Sequence, residues 1–196
     1  MLRKAIYPKV EPLLNDIAKK LQAKGFTPNQ LTLAGMGVNF LAGWAFASGN
    51  FILAGIILLI AALGDLLDGP LARVSGKASK FGAFLDSTVD RYSDVFLLGG
   101  LAIYYGLNHH PGKLFLVLGA IAGSFVTSYT KARSENFIPS CSVGFLERAE
   151  RVIIIALAGL LPFLMPLALL VLFVGSNYTA IERVVFTQKQ LEKTAE

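Results

Sequence analysis

Five aspartates are concentrated between residues 65 and 94, where most of the surrounding residues are apolar. Asp65 lies three residues before Asp68, a spacing that places both side chains on one face of a helix. Asp86 lies four residues before Asp90, and the same argument applies to that pair. Four carboxylates that converge in a partly dehydrated site repel one another unless cations lie among them. Oxygen ligands without a nearby His or Cys favour Mg²⁺, Mn²⁺ or Ca²⁺ over Zn²⁺, so we predict a divalent metal site.

The composition describes the environment in which these carboxylates lie. Hydrophobic residues make up 54% of the 196 residues, charged residues make up 16%, and the mean hydropathy is +0.59. These values argue against a water-soluble enzyme. The net charge of +5 is compatible with a nucleic-acid partner, but long apolar runs separate the basic residues. This pattern favours a membrane protein that contacts lipids and binds no nucleic acid.

Apolar runs of about 20 residues are long enough to span a membrane as helices. We predict an all-α membrane protein with six such helices, which form one bundle from about residue 31 to 185. The predicted spans are Leu31–Ser48, Phe51–Asp68 (ended by Gly69 and Pro70), Phe81–Tyr105, Lys113–Arg133 and two helices within Val152–Arg183 that bend at Pro162 and Pro166. Residues 1–24 mix apolar and basic side chains, which predicts an amphipathic helix at the membrane interface. The chain is then a single domain.

The distribution of basic residues predicts the orientation of the chain in the membrane. With six spans, the N-terminal arm, the loops at residues 73–80 and 131–151, and the C-terminal tail lie on one side. These segments contain 16 of the 18 Lys and Arg residues. Because cytoplasmic loops carry an excess of basic residues, we expect both termini and the active site on the cytoplasmic side of the cell membrane.

Carboxylates at membrane depth are compatible with more than one function. Solvated helix ends explain a single aspartate pair, but they explain four aspartates in register poorly. An ion or proton transporter is an alternative, because intramembrane carboxylates often serve transport. Gly69 and Gly82 flank the aspartates where a bulky side chain would block a diphosphate, and Arg73 between them is suited to bind a phosphate. These residues favour a nucleotide or diphosphate ligand over a proton path.

The same region resembles the signature of a known family. The residues that carry the resemblance are Asp65-Leu-Leu-Asp68-Gly69-Pro-Leu-Ala72-Arg73, then Gly82, Asp86 and Asp90. This pattern is similar to that of the CDP-alcohol phosphotransferases. The resemblance implies six membrane helices and a homodimer. It also implies transfer of a substituted phosphate from a CDP-linked alcohol to the hydroxyl group of a second alcohol, with release of CMP.

The resemblance implies a role for each residue of the signature. Asp65, Asp68 and Asp86 would be ligands of two Mg²⁺ or Mn²⁺ ions. Asp90 would be the general base and would also touch the second metal ion. The CDP group would be held by Asn29, Gln30, Leu31, Thr32, Gly69, Arg73, Ser79 and Gly82. Without the resemblance, Thr32 and Ser79 would be interpreted as ordinary helix caps.

Two later segments, residues 128–135 and 144–151, concern the second substrate. They contain Lys131, Arg133, Arg148 and Arg151, which could bind a phosphate. Basic loop charge on the cytoplasmic side is an alternative explanation. It does not account for two glutamates, Glu147 and Glu150, which could orient the arginines that follow them.

These segments resemble the prokaryotic phosphatidylinositol-phosphate synthases within the family. The resemblance implies that inositol phosphate is the acceptor and that its phosphate contacts Ser128, Lys131, Arg151 and Arg183. The donor would be CDP-diacylglycerol or CDP-archaeol. A phosphatidylglycerophosphate synthase, with glycerol phosphate as acceptor, is the first alternative, and a transferase that joins CDP-inositol to inositol phosphate is the second. Asp94 lies outside the signature and is expected either to support a site residue or to make a polar contact within the bundle.

Overall fold

A computed structural model describes residues 2–195, with side chains described for residues 11–193. Within these residues the protein is all-helical, with 83% helix and no strand. The α-helices are α1 (Leu2–Ala23), α2 (Pro28–Ala47), α3 (Phe51–Asp65), α4 (Asp68–Val74), α5 (Lys80–Leu107), α6 (Pro111–Ser134), α7 (Arg148–Leu160) and α8 (Met165–Ala195). One turn of 3-10 helix, Pro162–Leu164, joins α7 to α8.

Local sequence signals determine where α2 and α5 begin. Thr27 is the N-cap of α2 and forms a capping box, in which Gln30 N donates to Thr27 Oγ1 (3.3 Å) and Thr27 N donates to Gln30 Oε1 (2.9 Å). Pro28 suits the first position of this helix, where an N–H would have no partner. Ser79 caps α5 by accepting a hydrogen bond from Gly82 N at 3.0 Å. The first turns of both helices are therefore fixed by their own residues.

Six of the helices form a closed ring. α2 packs against α3 and α5, α5 packs against α6, α6 packs against α8, α8 packs against α7, and α7 packs against α3. The short helix α4 packs against α1 and also contacts α2. Apolar side chains fill the core, among them Phe46, Leu58, Leu97, Val117, Ile155 and Leu169. The polar residues described below lie where the end of α3, the first half of α5 and the start of α7 meet.

Glycines allow two pairs of helices to approach closely. A Cβ on Gly43 of α2 would overlap the carbonyl group of Phe96, and a Cβ on Gly100 of α5 would overlap the carbonyl group of Gly43. In the second pair, a Cβ on Gly159 of α7 would lie 2.9 Å from the Cα of Gly55 on α3. Small residues at such contacts are typical of membrane bundles, because they let helix backbones approach. These contacts fix the distances between α2 and α5 and between α3 and α7.

Replacement of Gly100 by Ala is expected to lower the free energy of unfolding by about 1–3 kcal/mol, because the new Cβ overlaps backbone that cannot rotate away. Gly99 is the matched control, since a Cβ there meets no atom within 4 Å. Gly99→Ala should leave stability unchanged or raise it by up to about 1 kcal/mol through helix propensity. Thermal unfolding in detergent measures both variants. Equal melting temperatures would contradict the close packing of α2 on α5.

Three segments of the described chain are long and apolar enough to cross a membrane, namely Phe51–Val74, Pro111–Ser134 and Pro162–Lys193. Large apolar side chains are also exposed on the surface, including Trp44, Leu63, Phe84, Leu107 and Phe163. These features indicate a membrane protein. Each of the six predicted spans corresponds to a helix, but α7 has only 13 residues and α5 carries several charges in its first half. The six-span topology therefore stays a prediction.

The predicted end of the second span is wrong. The helix ends at Asp65 instead of Asp68, and a two-residue turn separates it from α4. Gly69 and Pro70 do not end a helix but lie in the first turn of α4, where the missing N–H of proline leaves no hydrogen bond unmade. Asp65 and Asp68 consequently lie on two different helices, so the prediction that they share one helix face is also wrong.

The C-terminal helices differ from the prediction at two points. Pro162 lies in the 3-10 turn between α7 and α8, as expected for a bend, but Pro166 is the second residue of α8 and does not bend it. The helix also continues past Arg183 to Ala195, through a segment rich in the helix formers Gln, Glu and Lys. Much of the expected C-terminal tail is therefore helical.

Candidate active site

Three helix segments bring the four signature aspartates together. Asp65 ends α3 and Asp68 begins α4, while Asp86 and Asp90 lie one turn apart in α5. The Asp68 carboxyl interacts electrostatically with Asp86 and Asp65. The Asp90 carboxyl interacts with the same two residues. Gly35 of α2 lies against this cluster, since a Cβ there would be 3.0 Å from Asp65 Oδ1. The two aspartate pairs therefore meet at one place.

An arginine from α7 lies among these carboxylates. Arg148 Nη1 lies 2.8 Å from Asp65 Oδ2 and 2.9 Å from Asp90 Oδ1. Its Nε lies 3.9 Å from Asp94 Oδ1. The guanidinium group thus offsets part of the negative charge of the cluster, and it ties the start of α7 to α3 and α5.

The chemistry of the four carboxylates fits a divalent metal site. They supply only oxygen ligands, which hard cations such as Mg²⁺ and Mn²⁺ prefer. Asp68 and Asp86 interact with each other, and the ion pairs found among residues 11–193 give neither of them a basic partner. A cation would relieve their repulsion. Over the described part of the chain, no three Asp, Glu, His or Cys side chains are spaced to hold a metal ion. Asp65 and Asp90 now form ion pairs with Arg148, and they would have to give up these ion pairs to bind a metal ion.

The residues predicted to hold CDP lie in or next to three helices. They are Asn29, Gln30, Leu31 and Thr32 in α2, Gly69 and Arg73 in α4, and Ser79 and Gly82 at the start of α5. Gly82 lies close to the start of α2, since a Cβ there would lie 3.2 Å from Ser79 Oγ and 3.4 Å from Asn29 Oδ1. The starts of α2 and α5 are therefore adjacent, with no side chain at Gly82 to fill the space between them.

Several of these residues make contacts that the sequence did not predict. The Thr32 hydroxyl is not a helix cap but donates to the carbonyl group one turn earlier, at 3.1 Å. Arg73 Nη2 lies 3.6 Å from Glu11 Oε1 on α1. Gln30 and Leu31 line a separate cavity of about 420 Å³ beside the end of α1. Thus Asn29, Ser79 and Gly82 come together, whereas Gln30 and Leu31 border a different space.

A larger cavity, of about 1120 Å³, lies beside the aspartate cluster, and we call it the basic cavity. Its wall includes Asp90, Arg148 and all four residues predicted to contact the acceptor phosphate, which are Ser128, Lys131, Arg151 and Arg183. Of the four signature aspartates, whose side chains are all described, only Asp90 lines this cavity. The basic cavity therefore joins one carboxylate of the cluster to a group of cations.

Buried contacts hold two of these cations in place. The side chains of Arg151 and Arg183 are each 3% exposed. Arg183 donates hydrogen bonds to the carbonyl oxygens of Thr127 (2.7 Å) and Val143 (3.0 Å). Arg151 Nη2 donates to Asp94 Oδ2 at 2.7 Å. Both guanidinium groups are therefore fixed at the wall of the cavity by the protein itself.

Asp94 contacts one of these cations. Its carboxylate accepts hydrogen bonds from Arg151 and from the Ser124 hydroxyl. It is buried and does not line the basic cavity. These contacts are polar contacts within the bundle, and support of Arg151 as a site residue stays a prediction.

Replacement of Asp94 by Asn is expected to raise the acceptor KM roughly 5-fold. The reason is that Arg151 loses a charge-assisted hydrogen bond, and this loss costs about 1 kcal/mol of acceptor binding. The KM for the CDP-linked donor should change less, since the shortest ion pair of Asp94 is with Arg151, at 2.7 Å, and its contact with Arg148 is longer, at 3.9 Å. Steady-state kinetics with each substrate varied in turn measures this difference. An equal rise in both KM values would show that Asp94 supports the bundle in general and does not position Arg151.

The partners of two residues at the start of α7 were missed by sequence reasoning. Glu147 was predicted to orient neighbouring arginines, but its Oε1 lies 3.2 Å from Arg183 Nη2 and 3.6 Å from Lys131 Nζ. Arg148 pairs instead with the signature aspartates. The sequence shows that Glu147 and Arg148 are adjacent, but their partners come from α3, α5, α6 and α8. Which partners they meet therefore depends on how α7 packs against these helices.

A family model described as CDP-alcohol phosphatidyltransferase matches residues 26–187 of the chain. An archaetidylinositol phosphate synthase of Pyrococcus horikoshii is 42% identical over 188 residues, which cover 95% of this chain and 97% of the relative. A phosphatidylinositol phosphate synthase of Streptomyces avermitilis is 37% identical over 192 residues, which cover 91% of this chain and 79% of the relative. The similarity thus extends well beyond the aspartate signature.

Solved structures of the phosphatidylinositol phosphate synthase of Mycobacterium tuberculosis share this fold. The crystal structure with CDP-DAG bound matches with a TM-score of 0.83 and 28% identity, over 90% of this chain and 94% of that one. The structure in complex with manganese and citrate matches with a TM-score of 0.84 and 29% identity, over 89% and 88%.

Proposed function

The chain belongs to the CDP-alcohol phosphatidyltransferase family and is a transferase, and we propose that it transfers a phosphatidyl or archaetidyl group from a CDP-linked lipid to inositol phosphate. The donor is CDP-diacylglycerol or CDP-archaeol, and the products are CMP and a lipid that carries inositol phosphate. The names of the two curated relatives support this acceptor. The observation that carries the proposal is the basic cavity, where Asp90 and the three cations predicted to contact the acceptor phosphate line one space.

In the proposed reaction, a hydroxyl oxygen of inositol phosphate attacks the phosphorus atom that bears the lipid. The new P–O bond forms as the P–O bond to CMP breaks, and CMP leaves with the electron pair. Asp90 accepts the hydroxyl proton, because it is the signature carboxylate that faces the basic cavity. Lys131, Arg151 and Arg183 hold the acceptor phosphate, with Ser128 as a neutral hydrogen-bonding partner.

Divalent metal ions belong to this proposal, because the family depends on them and one matched structure contains manganese. Asp65, Asp68 and Asp86 would hold two Mg²⁺ or Mn²⁺ ions, and Asp90 would also touch the second ion. When bound, such ions neutralise charge on the diphosphate. The ligands come from α3, α4 and α5, so the turn between α3 and α4 and the first turns of α5 set their positions.

The CDP group is proposed to lie where the starts of α2 and α5 meet. Asn29, Ser79 and Gly82 are adjacent there, and Gly82 places no side chain between the other two. Gly69 lies next to Asp68 in the first turn of α4. Arg73 is proposed to contact a phosphate oxygen through Nη2, which lies 3.6 Å from Glu11 Oε1 in the structure.

The proposed topology places six spans in the cell membrane, with both termini and the basic cavity on the cytoplasmic side. The concentration of 16 of the 18 Lys and Arg residues in segments of one side supports this orientation. A homodimer is also proposed, on the resemblance to the family. Cross-linking in native membranes tests the dimer, and accessibility of single cysteines placed in each loop tests the orientation.

Two other acceptors or donors are compatible with the same cavity. A phosphatidylglycerophosphate synthase would use glycerol phosphate, which is also anionic, and a third type of transferase would join CDP-inositol to inositol phosphate. Membership of a transferase family disfavours an ion or proton transporter.

The acceptor is tested by CMP release from purified protein in detergent with CDP-diacylglycerol and Mg²⁺. Inositol phosphate, glycerol phosphate, free inositol and serine are offered in parallel, and CDP-inositol replaces the lipid donor in a further reaction. We expect turnover with inositol phosphate alone and with the lipid donor. Turnover with glycerol phosphate alone would assign the alternative acceptor, and turnover with CDP-inositol alone would assign the alternative donor.

A further inference from the structure

The carboxylate of Glu147 contacts two of the cations that are proposed to bind the acceptor phosphate. The same oxygen of Glu147, Oε1, lies 3.2 Å from Arg183 Nη2 and 3.6 Å from Lys131 Nζ. Glu147 also lines the basic cavity together with both cations. The cations are therefore partly neutralised by the protein itself at the wall where an anionic ligand would bind.

Arg183 can offer Glu147 only one part of its guanidinium group. Its Nη1 donates to the Thr127 carbonyl oxygen and its Nε donates to the Val143 carbonyl oxygen. The remaining nitrogen, Nη2, is the one that contacts Glu147. Because the side chain is 3% exposed and held by backbone carbonyl groups, it cannot turn to contact a second anion elsewhere. A phosphate that binds Arg183 through Nη2 therefore meets the position that Glu147 now occupies.

Glu147 is held much more loosely than its partner. Its side chain is 45% exposed, and although Glu147 precedes α7 as the N-cap, its side chain makes no capping hydrogen bond. A phosphate monoester carries more negative charge than a carboxylate and offers three acceptor oxygens. The exchange of Glu147 for a phosphate is therefore favourable and requires no movement of the buried arginine.

We propose that Glu147 occupies the place of the acceptor phosphate on Lys131 and Arg183 in the unliganded protein and is displaced when the acceptor binds. This inference rests on the proposed phosphate-bearing acceptor. Glu147 then contributes to selectivity for phosphate-bearing acceptors. A neutral alcohol cannot replace the carboxylate, so the ion pairs of Glu147 with Lys131 and Arg183 stay intact. An acceptor phosphate replaces these ion pairs with stronger contacts.

The test measures binding of inositol phosphate by calorimetry to the full-length protein in detergent, without donor. Glu147→Gln should lower the Kd roughly 10-fold, because the competing charge is lost. Glu147→Asp should also lower the Kd, because it keeps the charge but shortens the side chain and loses the contact. Glu192→Gln is the control, since it removes the same charge from an exposed position on α8 and should leave the Kd unchanged.

Two results would overturn the inference while leaving the proposed acceptor in place. The first is a higher Kd in Glu147→Gln, which would show that Glu147 supports the cations. The second is a lower Kd in Glu147→Gln together with an unchanged Kd in Glu147→Asp. That result would show a general effect of the negative charge instead of competition for the two cations. Failure of the wild type and all variants to bind inositol phosphate, with CMP release supported by a neutral acceptor, would overturn both the proposed acceptor and this inference.

Discussion

Replacement of Asp90 by Asn is expected to lower kcat by roughly 10²–10⁴-fold, the range that loss of a general base produces. Asn cannot take up the proton of the acceptor hydroxyl group, but it keeps a side-chain oxygen at this position, and Asp65, Asp68 and Asp86 remain as the proposed metal ligands. Binding of the CDP-linked lipid in the presence of Mn²⁺ should therefore remain within a few-fold of the wild type. Single-turnover kinetics and equilibrium binding to the same preparation measure the two effects separately.

Asp86→Asn is the matched control for this experiment. Asp86 lies one turn before Asp90 in the same helix, but it interacts with Asp68 and does not line the basic cavity. The variant should lose metal-dependent binding of the donor as well as turnover. If Asp90→Asn and Asp86→Asn lost donor binding to the same extent, the separate role of Asp90 as the base would be wrong.

Replacement of Lys131 by Ala is expected to raise the acceptor KM roughly 10–100-fold and to leave the donor KM unchanged. The removal of one charge-assisted hydrogen bond, worth about 1.5–3 kcal/mol, gives this range. Lys131 is 41% exposed, so its loss should not disturb the bundle. Steady-state kinetics with inositol phosphate and CDP-lipid varied in turn provides both KM values.

Lys189→Ala serves as the control for the loss of one positive charge, because Lys189 is exposed on α8 and does not line the basic cavity. It should change neither KM. An unchanged acceptor KM in Lys131→Ala would show that this lysine does not bind the acceptor. Its charge would then belong to the basic cytoplasmic loops that orient the chain in the membrane.

The part of the aspartate cluster that lies in α5 was predictable because it depends on a short spacing within one helix. Residue type and interval placed Asp86 and Asp90 on one face of a helix, and both lie in α5 as expected. The division of α3 from α4 was not predictable in the same way. Pro70 is compatible with the end of one helix and with the first turn of another, and only the packing of α4 against α1 and α2 distinguishes these cases.

The partners of the charged residues in α7 depend on contacts between distant segments. Arg148 reaches Asp65 across 83 positions of the chain, and Arg183 reaches Glu147 across 36. No local pattern encodes such pairs, so the sequence indicated that cations collect near an acceptor but did not indicate which carboxylate each one meets. The resemblance to a family placed Arg183 among these cations, and the packing of α6 on α8 brings it to the same cavity as Lys131.

In the proposed reaction, the acceptor is bound by its phosphate and attacks through a hydroxyl group. The most direct test is the incubation of the purified protein with CDP-diacylglycerol, Mg²⁺ and inositol phosphate labelled with ³²P, followed by chromatography and mass spectrometry of the extracted lipid. We predict that the label enters the lipid fraction with CMP released in equal amount, in a product that keeps the inositol phosphate intact. Label that stays in the aqueous phase while CMP is released would contradict this reaction.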